Sequence, residues 1–131
     1  MSLSVIIVED NATSANIAAR QLQFLGFDPQ VAETGQDGWN LIHKVNPILV
    51  VIDERLPDMS GIDLIRSLRE ENPDLTVIMS TVVDDEKAIK RAFASGCNYY
   101  CIKPNGLKKL CSEHNSIDEM LNPNAQETYS K

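Results

Sequence analysis

Two adjacent carboxylates end the first apolar run of the chain. The run is Val5–Val8, and Glu9 and Asp10 follow it directly. A third carboxylate, Asp53, ends a second run, Ile48–Ile52. Like charges repel each other and burial raises the pKa of a carboxyl group, so paired acids at the end of a buried strand indicate a cation site. Oxygen ligands of this kind favour Mg²⁺, with Mn²⁺ as an alternative.

A hydroxyl group and an ammonium group end two further apolar runs. The run LTVIM precedes Ser80 and Thr81, and the run YYCI precedes Lys103. Sites in open α/β sheets lie beyond the carboxyl ends of the strands, so we expect Thr81 and Lys103 at the rim of the acidic pocket. A metal ion, a lysine and a hydroxyl group would surround a phosphoryl group, and a carboxylate would accept it.

Apolar runs alternate with helical patterns along the chain, which predicts a doubly wound parallel sheet. We predict an α/β fold of the flavodoxin-like type, a single domain with five parallel strands in the order 2-1-3-4-5. In this order the first and third strands are neighbours, which gathers Glu9, Asp10 and Asp53 in one pocket. The predicted strands are Val5–Val8, Pro29–Ala32, Ile48–Ile52, Leu75–Met79 and Tyr99–Ile102, and the predicted helices are Ala12–Leu25, Gly35–Val45, Ile62–Glu70, Asp84–Ser95 and Leu107–His114.

Length and composition narrow the class of protein. The 131 residues suffice for one domain, and we predict that it covers residues 1–121, with a polar, disordered tail over residues 122–131. The net charge of −7 argues against direct nucleic-acid binding. No apolar run approaches the ~20 residues of a membrane span, and the N-terminus lacks a signal-peptide pattern. Three cysteines without a CxxC motif favour a reduced protein, so we expect a cytoplasmic location without membrane attachment.

The ordered set of motifs resembles the receiver domain of response regulators in two-component signalling, with likeness to chemotaxis regulators. The matching pieces are VIIVED, VVIDERLPDMSGIDLI, VIMSTVVDD and YYCIKP, which extend from Ser4 to about His114. The resemblance implies a phosphoaspartate switch within a phosphorelay, in which a histidine kinase or a histidine phosphotransfer protein donates the phosphoryl group. It implies no conventional substrate turnover, only Mg²⁺-dependent self-phosphorylation from the donor and slow autodephosphorylation.

The resemblance implies a role for each residue of the acidic pocket. Asp53 corresponds to the phosphoacceptor, Asp10 to the direct metal ligand, and Glu9 to the acid that holds metal-bound water. The backbone carbonyl of Arg55 would complete the metal shell. We also expect the side chain of Arg55 to contact the phosphoryl group or Glu9.

The resemblance also implies the residues that respond to phosphorylation. Thr81 corresponds to the hydroxyl group that moves to the phosphoryl oxygen, and Lys103 to the lysine that pairs with that oxygen. Tyr100 corresponds to the aromatic switch residue, and Pro104 would follow a cis peptide bond. A downstream protein would bind the face formed by the fourth helix, the fifth strand and the fifth helix, and dimerisation through the same elements is common in such domains.

Two departures from the family pattern leave other functions open. Val82 stands where receivers commonly have alanine or glycine, and Asn105 stands where they usually have an aromatic residue. These departures leave room for a receiver-like binding module that is never phosphorylated. An aspartate-nucleophile phosphatase is a weaker alternative, because its general acid would occupy the position of Arg55, which does not exchange a proton at neutral pH.

Overall fold

The computed structural model describes residues 3–113, 120–121 and 128–130. Strands and helices alternate along the chain up to the fifth helix, and a short sixth strand follows. The strands are β1 (Ser4–Val8), β2 (Asp28–Ala32), β3 (Leu49–Ile52), β4 (Thr76–Thr81), β5 (Tyr99–Ile102) and β6 (Thr128–Ser130). The helices are α1 (Ala12–Phe24), α2 (Gly35–Val45), α3 (Gly61–Glu71), α4 (Glu86–Ser95) and α5 (Gly106–Glu113).

The strands form one parallel sheet in the order β2-β1-β3-β4-β5-β6. This confirms the predicted α/β class and the order 2-1-3-4-5 for the first five strands, whereas the sixth strand was not predicted. In β1 and β3, Val8 lies opposite Ile52, so both strands end at the same level and deliver Glu9 and Asp53 to one edge of the sheet.

Two apolar layers cover the sheet, one on each face. Alternate residues of each strand point to opposite faces, so Ile6 and Val8 join the layer under α2, α3 and α4. Val5 and Ile7 join the layer under α1 and α5. All four residues of β3 are buried, as expected for a strand with helices on both faces. None of the helices in the described part of the chain combines the length and apolar character needed to cross a bilayer.

Side-chain caps set the starts of two helices near the site. Asp85 accepts a hydrogen bond from the backbone nitrogen of Ala88 at 2.7 Å, so α4 begins after it and not at the predicted Asp84. Ser60 caps α3 in the same way, which makes Gly61 the first helical residue. Capping of this kind satisfies backbone donors that have no partner within the helix. The predicted end of the last helix, His114, lies outside the described residues.

The sixth strand lies within the segment predicted as a polar, disordered tail. Within it, Thr128–Ser130 form a strand paired with Tyr99–Cys101 of β5; residues 122–127 and 131 lie outside the described part, so a disordered tail there stays a prediction. The physical reason is that β5 would otherwise leave a row of backbone donors and acceptors without partners. Met120 is also buried in the core, and its carbonyl oxygen accepts a hydrogen bond from the Tyr99 hydroxyl group at 2.8 Å.

The three cysteines, Cys97, Cys101 and Cys111, are all buried. Burial raises the pKa of the Cys111 thiol to about 11 and raises the pKa of the Cys101 thiol further. At neutral pH these two side chains therefore remain protonated thiols, which are poor nucleophiles and poor metal ligands.

Two glycines allow helices to approach the strands that carry the acids. A Cβ atom on Gly38 would lie 2.7 Å from Cγ2 of Val8, so a close approach of α2 to β1 explains this glycine within a helix. A Cβ atom on Gly61 would lie 2.1 Å from the backbone oxygen of Asp53. The backbone nitrogen of Gly61 also donates to the carbonyl oxygen of Glu54 at 2.7 Å. The start of α3 is thus packed directly against the Asp53 backbone.

We expect Gly61→Ala to destabilise the protein by about 2–3 kcal/mol, since the added carbon overlaps backbone that cannot move without displacing Asp53. Gly35→Ala is the matched control: its added carbon meets the flexible side chain of Met59, so we expect a change below about 1 kcal/mol. Urea unfolding of both variants measures the difference, and equal losses would contradict the packing argument.

Candidate functional site

Four strands of the sheet each end on a residue with reactive chemistry. Glu9 follows β1, Asp53 follows β3, Thr81 is the last residue of β4, and Lys103 follows β5. Because the strands are parallel, their carboxyl ends share one edge, where ligands of doubly wound sheets bind.

Three carboxylates come together at this edge. Glu9, Asp10 and Asp53 each offer an oxygen atom, and these atoms lie within 4.8 Å of one another. Glu9 is buried, the Asp53 side chain is 14% exposed and Asp10 is exposed. A cluster of carboxylate oxygens with one open side is a donor set that fits a hard divalent cation with several bound waters. The structure therefore brings together the three acids that the sequence predicts as metal ligands.

Lys103 provides the positive charge that lies against two of these acids. Its Nζ atom contacts Oε1 of Glu9 and lies 3.3 Å from Oδ2 of Asp53. Its backbone nitrogen donates to the carbonyl oxygen of Thr81 at 2.8 Å, and the following peptide bond to Pro104 is cis, as predicted. Burial raises the pKa of Glu9, while the hydrogen bond from Lys103 opposes that rise. Lys103 thus offsets part of the cost of burying negative charge.

Backbone hydrogen bonds hold the acids in position. The backbone nitrogen of Asn11 donates to Oε2 of Glu9 at 3.2 Å, and that of Glu9 donates to the carbonyl oxygen of Ala32 at 2.9 Å. The backbone nitrogen of Asp53 donates to the carbonyl oxygen of Val8 at 3.0 Å. The carboxylates of β1 and β3 therefore project from a rigid part of the sheet.

Thr81 and Tyr100 are linked through the backbone of one residue, Val83. The buried hydroxyl oxygen of Thr81 accepts a hydrogen bond from the nitrogen of Val83 at 3.3 Å. The hydroxyl group of Tyr100 donates to the carbonyl oxygen of Val83 at 2.7 Å. Tyr100 is fully buried and its ring centroid lies 6.4 Å from that of Phe93. Val83 was not predicted from the sequence, because only its backbone forms these hydrogen bonds and its side-chain type gives no indication of them.

The remaining predicted site residues lie near this edge. Arg55 is exposed, two residues after Asp53, and its backbone forms a bridge with Ser60. Its carbonyl as a metal ligand and its side chain as a phosphoryl or Glu9 contact stay predictions. Val82 is 66% exposed beside Thr81. Asn105, which stands where the family usually has an aromatic residue, does not prevent α5 from forming. The carbonyl oxygen of Asn105 accepts a hydrogen bond from the backbone nitrogen of Lys109 at 2.9 Å.

Sequence comparison relates most of the chain to one family. The family model described as the response regulator receiver domain matches residues 5–115. The chain is 30% identical over 108 residues to the probable transcriptional regulatory protein TcrX of Mycobacterium tuberculosis, covering 82% of this chain and 46% of that protein. It is 29% identical over 131 residues to the luminescence regulatory protein LuxO of Vibrio campbellii, covering 92% of this chain and 29% of that protein. The chain thus spans less than half the length of these relatives.

Solved structures have the same fold. A CheY-like response regulator receiver domain protein from Methanospirillum hungatei superposes with a TM-score of 0.81 at 24% identity, covering 93% of this chain and 95% of that one. The response regulator DrrB of Thermotoga maritima superposes with a TM-score of 0.80 at 27% identity, covering 95% of this chain and 54% of that one.

Replacing Lys103 with methionine should destabilise the protein at neutral pH, and this loss should decrease as the pH is lowered. Without the ammonium group, the folded pKa of Glu9 rises further above its unfolded value, so the folded state binds the proton more tightly. We expect a loss of about 1–3 kcal/mol at pH 7, which shrinks as pH falls through the raised folded pKa.

Urea unfolding at pH 7 and pH 5 measures this effect. The matched control is Lys109→Met, since Lys109 is exposed and we expect little change in its variant at either pH. A loss for Lys103→Met that is the same at both pH values would contradict the electrostatic role.

Proposed function

The chain belongs to the response regulator receiver domain family, and we propose that it is a phosphoaspartate switch of a two-component system. In this proposal Asp53 accepts a phosphoryl group from a phosphohistidine on a histidine kinase or a histidine phosphotransfer protein in the cytoplasm. The observation that supports it most is the arrangement of Lys103 against both Glu9 and Asp53, beside an acidic cluster that suits a divalent cation.

The acidic cluster is the proposed Mg²⁺ site. Glu9, Asp10 and Asp53 would hold the ion, with the backbone carbonyl of Arg55 as a further ligand. When bound, Mg²⁺ supplies positive charge that neutralises phosphoryl oxygens next to the acidic side chains. The oxygen-only donor set and the exposed Asp10 support this assignment.

The transfer forms one bond and breaks one. A carboxylate oxygen of Asp53 forms a bond to phosphorus, while the bond between phosphorus and the donor's histidine nitrogen breaks and its electron pair stays on that nitrogen. The product is an acyl phosphate on Asp53, and slow hydrolysis would return the carboxylate. Lys103, which lies 3.3 Å from Oδ2 of Asp53, would pair with a phosphoryl oxygen and offset its charge.

The hydrogen bonds of Val83 provide a route from the acceptor to the output surface. If the Thr81 hydroxyl group turns to donate to the phosphoryl group, its hydrogen bond from the Val83 nitrogen is lost. The Tyr100 hydroxyl group holds the carbonyl of the same residue, so a shift of Val83 would reach Tyr100 directly. We propose that a downstream protein recognises the change on the face formed by α4, β5 and α5.

An apolar recess beside Lys103 is a suitable contact for the donor. A cavity of about 260 Å³ lies between α1 and the loop after β5, with Lys103 in its wall. Ile17 and Val82 line it and are 47% and 66% exposed. Contiguous exposed apolar surface commonly marks a site of protein contact, and a donor seated there would bring its phosphohistidine near Lys103, which contacts Asp53.

Incubation with acetyl phosphate tests the proposal directly. We expect a gain in intact mass of one phosphoryl group, which requires Mg²⁺ and is absent in Asp53→Asn. The matched control is Asp63→Asn, because Asp63 is an exposed aspartate on α3 and its variant should be modified like the native protein.

Two results would overturn the switch. No gain in mass for folded protein under any condition would favour the binding module that is never phosphorylated. A phosphoryl group that persists in Asp53→Asn would assign the acceptor to another residue.

A further inference from the structure

β2 and β5 are the two outer strands of the predicted five-stranded sheet. Their sequences differ in how well they suit a position at the edge of a sheet. β2, at one end, carries Asp28, Pro29 and Gln30, and the two polar residues are exposed. Proline lacks a backbone N–H group and charged residues disfavour pairing, so such residues protect an edge strand against a further strand. The sequence of β2 therefore matches its position at the edge of the sheet.

β5, at the other end of the five, lacks this protection. Its residues Tyr99, Tyr100 and Cys101 are buried, and the strand contains no charged residue and no proline. This is the composition of an interior strand. The structure agrees, because β5 has β4 on one side and β6 on the other.

Two hydrogen bonds to residues that precede β6 in the chain indicate that this strand comes from the same copy of the chain. Met120 is buried and accepts from the Tyr99 hydroxyl group at 2.8 Å, and Leu121 accepts from the Thr76 hydroxyl group at 3.4 Å. Thr76 and Tyr99 begin β4 and β5, and Thr128 lies opposite Tyr99. Neighbouring strands are ~4.8 Å apart, so the six residues between Leu121 and Thr128 are long enough to cross to the outer edge of β5.

We propose that the outer edge of β5 is a strand-docking surface, and that Thr128–Ser130 occupies it in cis and so prevents a second copy of this chain from pairing there. A strand edge accepts one partner strand at a time, so occupation in cis excludes pairing in trans. Only three residue pairs join β6 to β5, which makes the contact short enough to open. The inference goes beyond the phosphorylation switch and does not depend on it.

Two variants of the unphosphorylated protein test this inference. The first ends at Leu121, which retains the buried Met120 and removes β6. The second is the double variant Tyr129→Pro, Ser130→Pro in the full chain: successive residues of a strand direct their N–H groups to opposite sides, so one of the two prolines removes a donor that faces β5. The control is Ser130→Ala, which leaves backbone pairing intact.

Amide hydrogen exchange in β5 and molar mass by light scattering are the measurements, with circular dichroism to verify folding. We expect the full chain and Ser130→Ala to be monomeric. In both test variants, at concentrations where the protein is monomeric, we expect the β5 amides that face β6 to exchange about tenfold faster, which corresponds to about 1.4 kcal/mol. At higher concentrations we expect dimers to form. A peptide of residues 122–131 should reverse the dimerisation of the shortened chain.

Three results would overturn the inference. Unchanged exchange in β5 for both variants would mean that β6 does not cover this edge. Faster exchange without dimers at any concentration would mean that β6 does not block pairing between copies. A full chain that is dimeric and becomes monomeric on shortening would mean that β6 docks in trans.

Discussion

The contact of Lys103 with Glu9 and Asp53 is the interaction on which the site depends. Glu9 is buried and Asp53 is mostly buried, and burying carboxylates without a countercharge is strongly unfavourable. The lysine is 94 residues from Glu9 and 50 residues from Asp53 along the chain. The charge balance therefore exists only when β1, β3 and β5 have all taken their places in the sheet, so assembly of the fold and assembly of the site are the same event.

Two kinds of interaction hold the two halves of the site. On the side of β1 and β3, backbone hydrogen bonds fix Glu9 and Asp53, and Gly61 packs against the Asp53 carbonyl. On the side of β4 and β5, the interactions involve hydroxyl groups and an ammonium group, namely those of Thr81, Tyr100 and Lys103. Side-chain hydroxyl groups exchange partners by rotation about a single bond, whereas backbone pairs of a sheet do not. A rearrangement at the proposed phosphorylation site would therefore involve the side chains of Thr81, Tyr100 and Lys103.

Much of this arrangement was predictable from sequence because the chemistry lies at the ends of strongly apolar strands. The runs before Glu9, Asp53 and Lys103 identify buried strands, and the flavodoxin-like order then brings their ends together. Contacts that depend on tertiary structure left no such signal. The His43 ring pairs with Glu71 at 2.6 Å across 28 residues, although nothing in the local sequence of His43 indicates a partner.

The sixth strand escaped prediction for a different reason. Thr128–Ser130 is too short to show an alternating pattern and is surrounded by polar residues. Its position depends on the need of β5 for a partner strand rather than on any preference of its own. A better signal was available in β5 itself, whose uncharged sequence does not suit an edge. The roles of individual site residues, by contrast, came from the family resemblance and not from patterns of burial.

The buried thiols give this protein an internal reporter of its own opening. Cys101 lies in β5 and Cys111 lies on the buried face of α5, and both are protonated and shielded in the closed fold. An alkylating reagent in solution reaches them only during excursions in which these elements separate. The rate of alkylation therefore reports how often these elements separate, and it does so without any engineered label. A cysteine introduced at an exposed position would react far faster, so a dye could be attached there while the native thiols stay in place.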